Sequence, residues 1–339
     1  MNQEFKHLQA AHCENGVTTN LLKAVGANML TEPLTFGIGS GLFYIYIPFL
    51  KINKGPAIAF RTRPGLIFKR TCKSFDIPVV RKKFSSKEAA EKYLEECLQA
   101  GQPVGCQVGV YYLSYFPKEY RFHFNAHNII VYGKEEDKYL ISDPVMENVT
   151  TLSRYELERV RFAKGALAPK GQLYYPKEQL AIVSDEQVRK AIKNGIKRNV
   201  FDMLRIPGRI VGAAGIKYTG NKIKTWKDKL GPEKAGLYLA QLVRMQEEIG
   251  TGGGGFRYIY GAFLQEAYAY LPTEELLELS KKITAAGDLW RSAAVQAAGI
   301  YKGRIGSQAD YDIMGDYLIE ISGIEKDVFI ALSKIKWPT

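Results

Sequence analysis

Cysteine is scarce in this chain. Cys13, Cys72, Cys97 and Cys106 are the only four in 339 residues. Their irregular spacing excludes a disulfide scaffold, and the absence of any Cys-x-x-Cys pair argues against a zinc ribbon. Histidine is equally scarce, with His7, His12, His123 and His127. No apolar run approaches the ~20 residues that a membrane span needs. The opening segment Met1-Asn2-Gln3-Glu4-Phe5-Lys6 lacks the apolar core of a signal peptide. A reducing, cytoplasmic location is therefore expected. There is no zinc finger, RNP-like aromatic motif or helix-turn-helix, so nucleic acid is not an expected partner. No internal repeat and no long linker rich in Pro, Gly or Ser interrupts the chain.

What is abundant is positive charge. The formal net charge is +12, and it is unevenly spread. Residues 51–83 hold ten basic residues against one acidic one, Asp76, and residues 187–230 hold twelve against Asp202 and Asp228. Such clusters attract polyanions: an acidic protein, a phosphorylated cofactor or an anionic surface. A solvated basic face with no partner explains them equally well.

The hydrophobic fraction of 46% and the length allow two domains with sizeable cores. The first half reads as a helix followed by a mainly antiparallel sheet, an α+β arrangement. Asn15 to Val25 is helical in pattern and stops at Gly26. Residues 32–41 read as a turn-rich loop leading into a strand from Leu42 to Phe49, and residues 56–80 as short strands and turns. Ser85 or Ser86 caps a helix that runs to Ala100. Strand patterns follow at Pro103 to Tyr112, Asn125 to Tyr132 and Lys138 to Ser142, the last two joined by a turn at 133–137. From Ser184 onward the pattern is helical, with breaks at Pro207-Gly208, Gly231-Pro232, Gly250 to Gly255, Pro272 and Gly303. The expected division is 1–180 and 181–339.

Candidate chemistry centres on Cys13, in Ala11-His12-Cys13-Glu14-Asn15-Gly16. A thiol at a helix N-terminus meets the positive end of the helix dipole, which favours the thiolate. Thiol catalysis also needs a base and a group that orients the base. His127 lies in a strand-like run with apolar alternate residues, and Asp143 follows the next run, just before Pro144. Two adjacent antiparallel strands would bring His127 and Asp143 side by side. The bland reading makes Cys13 a small buried hydrophobe and His127 a satisfied polar group in a sheet. An acyl-transfer site further needs an oxyanion hole, for which the Cys13 N–H and the Gln9 side chain are candidate donors. Metal binding by His7 with His12, or by His123 with His127, lacks acidic ligands of suitable spacing, so no metal site and no cofactor is expected. The Gly250 to Gly255 loop precedes a helix but ends in Phe256-Arg257, without the Gly-Lys-Ser/Thr of a P-loop. It reads as a flexible entry to a packed helix.

His12-Cys13, Glu32-Pro33-Leu34-Thr35-Phe36-Gly37-Ile38-Gly39, Ala126-His127 and Ser142-Asp143-Pro144 together resemble the N-terminal domain of the butirosin biosynthesis protein H family. That domain is related to papain-like, C39-type cysteine peptidases. Glu248 to Arg257, continuing through Phe263-Leu264-Gln265-Glu266-Ala267, is similar to the helical domain that follows it in that family. The resemblance implies a papain-like N-terminal fold, an all-α C-terminal domain and a cysteine-dependent acyltransferase. Cys13 would take an acyl group from an acidic acyl carrier protein or other thioester donor, His127 would act as base and then acid, and Asp143 would orient it. A small-molecule amine or hydroxyl would accept the group. One departure is His7, which stands where many papain-like enzymes carry an oxyanion glutamine. His12, Arg257 and Glu266 are further candidates for substrate binding, with Gly255, Arg257 and Glu266 on the acceptor side. The same catalytic residues would serve a cysteine peptidase or amidase, and a papain-like shell kept for binding alone would need no reactive Cys13.

Overall fold

The computed structural model describes residues 5–52, 55–178, 180 and 183–337. Residues 1–4 of the opening segment, Lys54 of the first basic run and the residues flanking 180 lie outside that set. The chain forms two compact units, but not by one cut near residue 180. The first comprises Met1–Thr35 and Ile67–Ser184, the second Phe36–Leu66 and Asp185–Thr339.

The first unit opens with helix α1 (Cys13–Ala24). The predicted loop at 32–41 is instead helix α2 (Glu32–Ile38), which begins in this unit. Helix α3 (Leu66–Ser74) occupies a stretch read as strands and turns. Its buried residues Ile67, Phe68, Thr71 and Cys72 follow helical spacing, a signal overshadowed by the Pro64-Gly65 turn just before it. Helix α4 (Lys87–Gln99) starts as expected at Ser86, whose hydroxyl accepts the Ala89 N–H. Helix α5 (Arg154–Arg161) starts with a reciprocal Ser153–Glu156 cap.

Six strands form the sheet: β3 (Val79–Lys82), β4 (Val104–Val108), β5 (His127–Glu135), β6 (Lys138–Ser142), β7 (Thr150–Ser153) and β8 (Leu173–Pro176). Their order is β3-β8-β4-β5-β6-β7 and every pairing is antiparallel. The expected strand from Pro103 to Tyr112 is shorter because a 3-10 turn at Val110–Tyr112 ends it. The β5–β6 hairpin has Ile130 opposite Ser142. One sheet face packs Cys106, Val108, Ile129, Val131, Ile141 and Leu152 with Leu94 of α4 and Leu157 and Val160 of α5. Helix α1 packs on β4, β5 and β8.

In the second unit, the hairpin β1 (Leu42–Ile52) and β2 (Gly55–Arg61) joins helices α6 (Asp185–Leu204), α7 (Gly212–Ile223), α8 (Trp226–Leu230), α9 (Pro232–Val243), α10 (Arg257–Tyr270), α11 (Glu274–Tyr301) and α12 (Gln308–Leu332). The helix breaks that glycine and proline predicted are present, and one further break, at Lys224-Thr225 between α7 and α8, has neither residue. Tyr44 of β1 is fully buried, donates to Thr219 Oγ1 at 2.8 Å and stacks on Trp290. Phe60 of β2 meets the same indole edge-on at 5.1 Å. The hairpin therefore supplies core aromatics to the helices, which explains why it belongs with them although it precedes the sheet in sequence.

Candidate active site

The site is built at the start of α1. His12 is extended, and its Nδ1 accepts the Asn15 N–H, so its buried ring caps the helix. Glu32 accepts the N–H groups of Ala11 and His12 at 2.8 and 2.9 Å and one from the Asn15 side chain. Burial pushes the Glu32 carboxyl above its usual range, and these hydrogen bonds only partly oppose that. Cys13 is the first helical residue and 6% exposed. Its own N–H is one of the four that an α-helix leaves unused at its start.

Gly16 sets how close the next piece can come. A Cβ there would lie 2.3 Å from Pro144 Cβ and 2.7 Å from Ala10 Cβ. Its absence lets the segment after β6 lie against α1, where Ala10 N–H donates to Pro144 O at 2.7 Å. Asp143 is carried in by the same segment and is fully buried.

His127 begins β5, and its Nε2 lies 2.7 Å from Asp143 Oδ2. Oδ2 also accepts the Tyr115 hydroxyl at 2.8 Å, and Oδ1 accepts Val145 N–H. Phe116 meets the imidazole edge-on at 5.5 Å. With Nε2 directed at Asp143, Nδ1 is the ring nitrogen left for the Cys13 sulfur. Burial opposes the imidazolium, yet the charge of Asp143, then that of Cys13, and hydrogen bonds to both push His127 up to about 10. Burial and the neighbouring Asp143 hold the Tyr115 phenol far above its usual range, so its O–H stays a donor. The structure thus brings Cys13, His127 and Asp143 together at the sheet end beside α1. That arrangement can generate a nucleophilic sulfur and move its proton.

Gln9 is exposed in the segment that leads into α1. His7 is tied by Nδ1 to Ser142 Oγ at 2.7 Å and by Nε2 to Met146 O at 3.1 Å, so it braces the Asp143 segment. His123 stacks on Tyr111 at 4.1 Å, away from the His127–Asp143 pair in bonding. Among the described residues, no three His, Cys, Asp or Glu side chains cluster as a metal site would require. No helix among them is long and apolar enough to cross a membrane.

Arg257 requires a correction. Its side chain has no exposure, and its Nε and Nη2 donate to both oxygens of Glu325 at 2.8 Å, while Nη1 donates to Gly255 O at 2.7 Å. All three nitrogens are used inside the helical unit, so this guanidinium does not receive substrate. Glu266 is half-buried on α10, one turn before Tyr270. In the glycine-rich loop, Gly250, Gly252, Gly253, Gly254 and Gly255 all have positive φ. Its amides already serve protein oxygens: Gly253 N–H reaches Thr251 Oγ1 and Gly254 N–H reaches Glu247 Oε1. The loop is a packed entry to α10.

Sequence reading missed Glu32, Tyr115, Asn128 and Tyr174. Asn128 Nδ2 lies 3.9 Å from Cys13 Sγ, and Tyr174 donates to Asn128 Oδ1 at 2.8 Å. Asn128, a polar residue in a largely apolar central strand, carried a signal in the sequence, and Glu32 lay in one of the segments that carry the family resemblance.

Two family models match the sequence. The model for the N-terminal domain of butirosin biosynthesis protein H matches residues 12–144 and so includes Cys13, His127 and Asp143. A domain of unknown function, DUF4872, matches residues 155–332, more than half of the chain. The chain belongs to the butirosin H-like family. In this butirosin H-like chain the two matched regions take up nearly all of the sequence, and the second begins at Tyr155, near the start of α5. A solved structure described as a C39-like peptidase from Bacillus anthracis aligns with 52% of the butirosin H-like chain and 96% of its own length, at 13% identity and a TM-score of 0.37. No curated protein matches the sequence.

Proposed function

We propose that this chain is a cysteine-dependent acyltransferase of natural-product biosynthesis, working through an acyl-Cys13 intermediate. The observation that carries this reading is the buried His127–Asp143 pair, 2.7 Å apart, beside a cysteine at a helix start. In the first half-reaction the Cys13 proton passes to His127 and the sulfur attacks the carbonyl of a carrier-protein or CoA-like thioester. The carbonyl–sulfur bond to the donor breaks, and the donor thiol leaves with the proton from His127. In the second, His127 takes a proton from an amine or hydroxyl acceptor, which attacks acyl-Cys13. The bond to Cys13 breaks and the sulfur recovers its proton. Asp143 keeps the imidazole oriented throughout, and the Cys13 N–H at the helix start is the donor best placed for the oxyanion.

Family membership supports the biosynthetic setting. The net charge of +12 supports an acidic donor protein, since opposite charge speeds encounter. The test is intact mass after incubation with a panel of acyl-pantetheine and acyl-carrier thioesters, with Cys13→Ala alongside. An acyl adduct that is absent from Cys13→Ala supports the reading, and its transfer to an added amine completes it. Release of free acid alone would make the protein a hydrolase with the same residues. Neither adduct nor turnover across the panel would leave a binding module.

A further inference from the structure

We propose that Asn128 is a catalytic residue that holds the Cys13 sulfur in its anionic form, and that Tyr174 is a positioning residue that fixes which end of the Asn128 amide meets the sulfur. The proposal rests on the reading of Cys13 as nucleophile.

Asn128 follows His127 at the very start of β5, where both side chains reach Cys13. Its Nδ2 approaches Cys13 Sγ at 3.9 Å, within hydrogen-bond reach of sulfur. The amide is 5% exposed, and Asn is disfavoured in central strands. Packing alone does not account for it there, because burying an amide costs free energy unless its partners are all present. They are present, and they agree. Tyr174 O–H donates to Oδ1 at 2.8 Å, and Nδ2 donates to Ala126 O at 3.1 Å. Reversing the amide would set Oδ1 against both the Ala126 carbonyl and the sulfur, and would face the Tyr174 hydroxyl with N–H groups. Burial, then the charges of Glu14 and Cys13, hold the Tyr174 phenol well above its usual range, so it keeps the proton it donates.

The result is a sulfur with two stabilising neighbours, the imidazolium of His127 and a neutral N–H donor. The second matters in both half-reactions, because the sulfur is anionic when it attacks and again when it leaves the acyl group. An amide donor stabilises the anion without adding a positive charge that would compete with His127 for Asp143.

The test is the rate of Cys13 alkylation by iodoacetamide against pH, read by peptide mass on the full chain. Native protein is compared with His127→Ala, Asn128→Ala, Asn128→Asp and Tyr174→Phe. Asn128→Ala is expected to raise the midpoint by about one pH unit, roughly tenfold less thiolate below it. Asn128→Asp keeps the shape but presents a carboxylate, and should raise it further. Tyr174→Phe frees the amide to turn and should give a smaller rise. A purely structural role would lower the melting temperature and leave the midpoint in place. Asn128 profiles that superimpose on native while His127→Ala shifts would overturn this inference and spare the reading of Cys13. Indifference of Cys13 to His127→Ala would instead overturn that reading. If Asn128→Ala fails to fold, Asn128→Asp and Tyr174→Phe decide the matter.

Discussion

Arg257 with Glu325 in the helical unit, and His127 with Asp143 in the sheet unit, are both buried charged pairs, but they are completed differently. Glu325 takes two N–H groups from Arg257 and a third from Trp290 Nε1 at 2.9 Å, and the remaining guanidinium nitrogen is spent on a backbone carbonyl. Each guanidinium nitrogen is engaged within its own unit, and the side chain has no exposure through which to meet a ligand. Around His127 the saturation is one-sided. Asp143 is fully bonded by His127, Tyr115 and Val145, while the other face of the imidazole meets a sulfur whose proton can leave. A closed network of this kind holds a core together. A network closed at every point but one directs that last point toward chemistry.

Substitutions can separate the two. The largest effect is expected from His127→Ala, which should slow acyl-adduct formation by on the order of 10²–10⁴-fold in the molecules that remain folded, and which also lowers the melting temperature because Asp143 stays buried without its partner. An unchanged rate in the mass assay would return His127 to the status of a packed polar group. Next comes Glu325→Ala, which leaves Arg257 charged and unpaired in the core. It should cost about 3–5 kcal/mol in urea unfolding, while cysteine reactivity in the molecules that remain folded stays native. A specific loss of turnover without loss of stability would make Arg257 functional after all. Gly16→Ala should cost about 1–3 kcal/mol through overpacking against Pro144. Because that contact seats Asp143, the rate should fall more than the stability does, and equal behaviour to native would show that the segment has room. The pair in the sheet unit also carries a pH slope. His127 lies at about 10 when folded, against 6.5 for an unperturbed imidazole, so the folded protein holds the extra proton between these values. Its contribution is fully present below about 6.5 and is lost as pH rises through about 10. His127→Gln should flatten the fall in unfolding midpoint across that window; an identical slope would place the proton elsewhere.

Much of this was readable from residue order. Cys13 ahead of a helix, His127 on one strand and Asp143 just past the next obey local rules of capping, alternation and hairpin pairing, which act over short stretches. The helix breaks marked by glycine or proline after residue 184 were legible for the same reason, whereas the one at Lys224-Thr225 was not. What escaped was set by contacts between distant segments. Glu32 reads as a loop acid until α2 folds and turns it toward the N–H groups of Ala11 and His12. Tyr115 and Tyr174 are two among 21 tyrosines, and nothing near them in sequence says which amide or carboxylate they will reach. Arg257 misled because an arginine beside glycines resembles a ligand grip, whereas its partner Glu325 lies two helices further on. The single boundary near 180 failed because hydropathy registers the hairpin at 42–61 as strands but not which core they enter.

The hairpin also has a consequence in time. As the chain leaves the ribosome, Tyr44 and Phe60 emerge early, while the Trp290 indole they pack on is made much later, roughly ten seconds to a minute at usual synthesis speeds. Through that interval these aromatics have no native core to enter, so a nascent chain stalled before α11 is expected to need a chaperone that a finished chain does not. Genetic exchange is constrained in the same way: a single crossover near residue 180 would separate the hairpin from the helices that it completes.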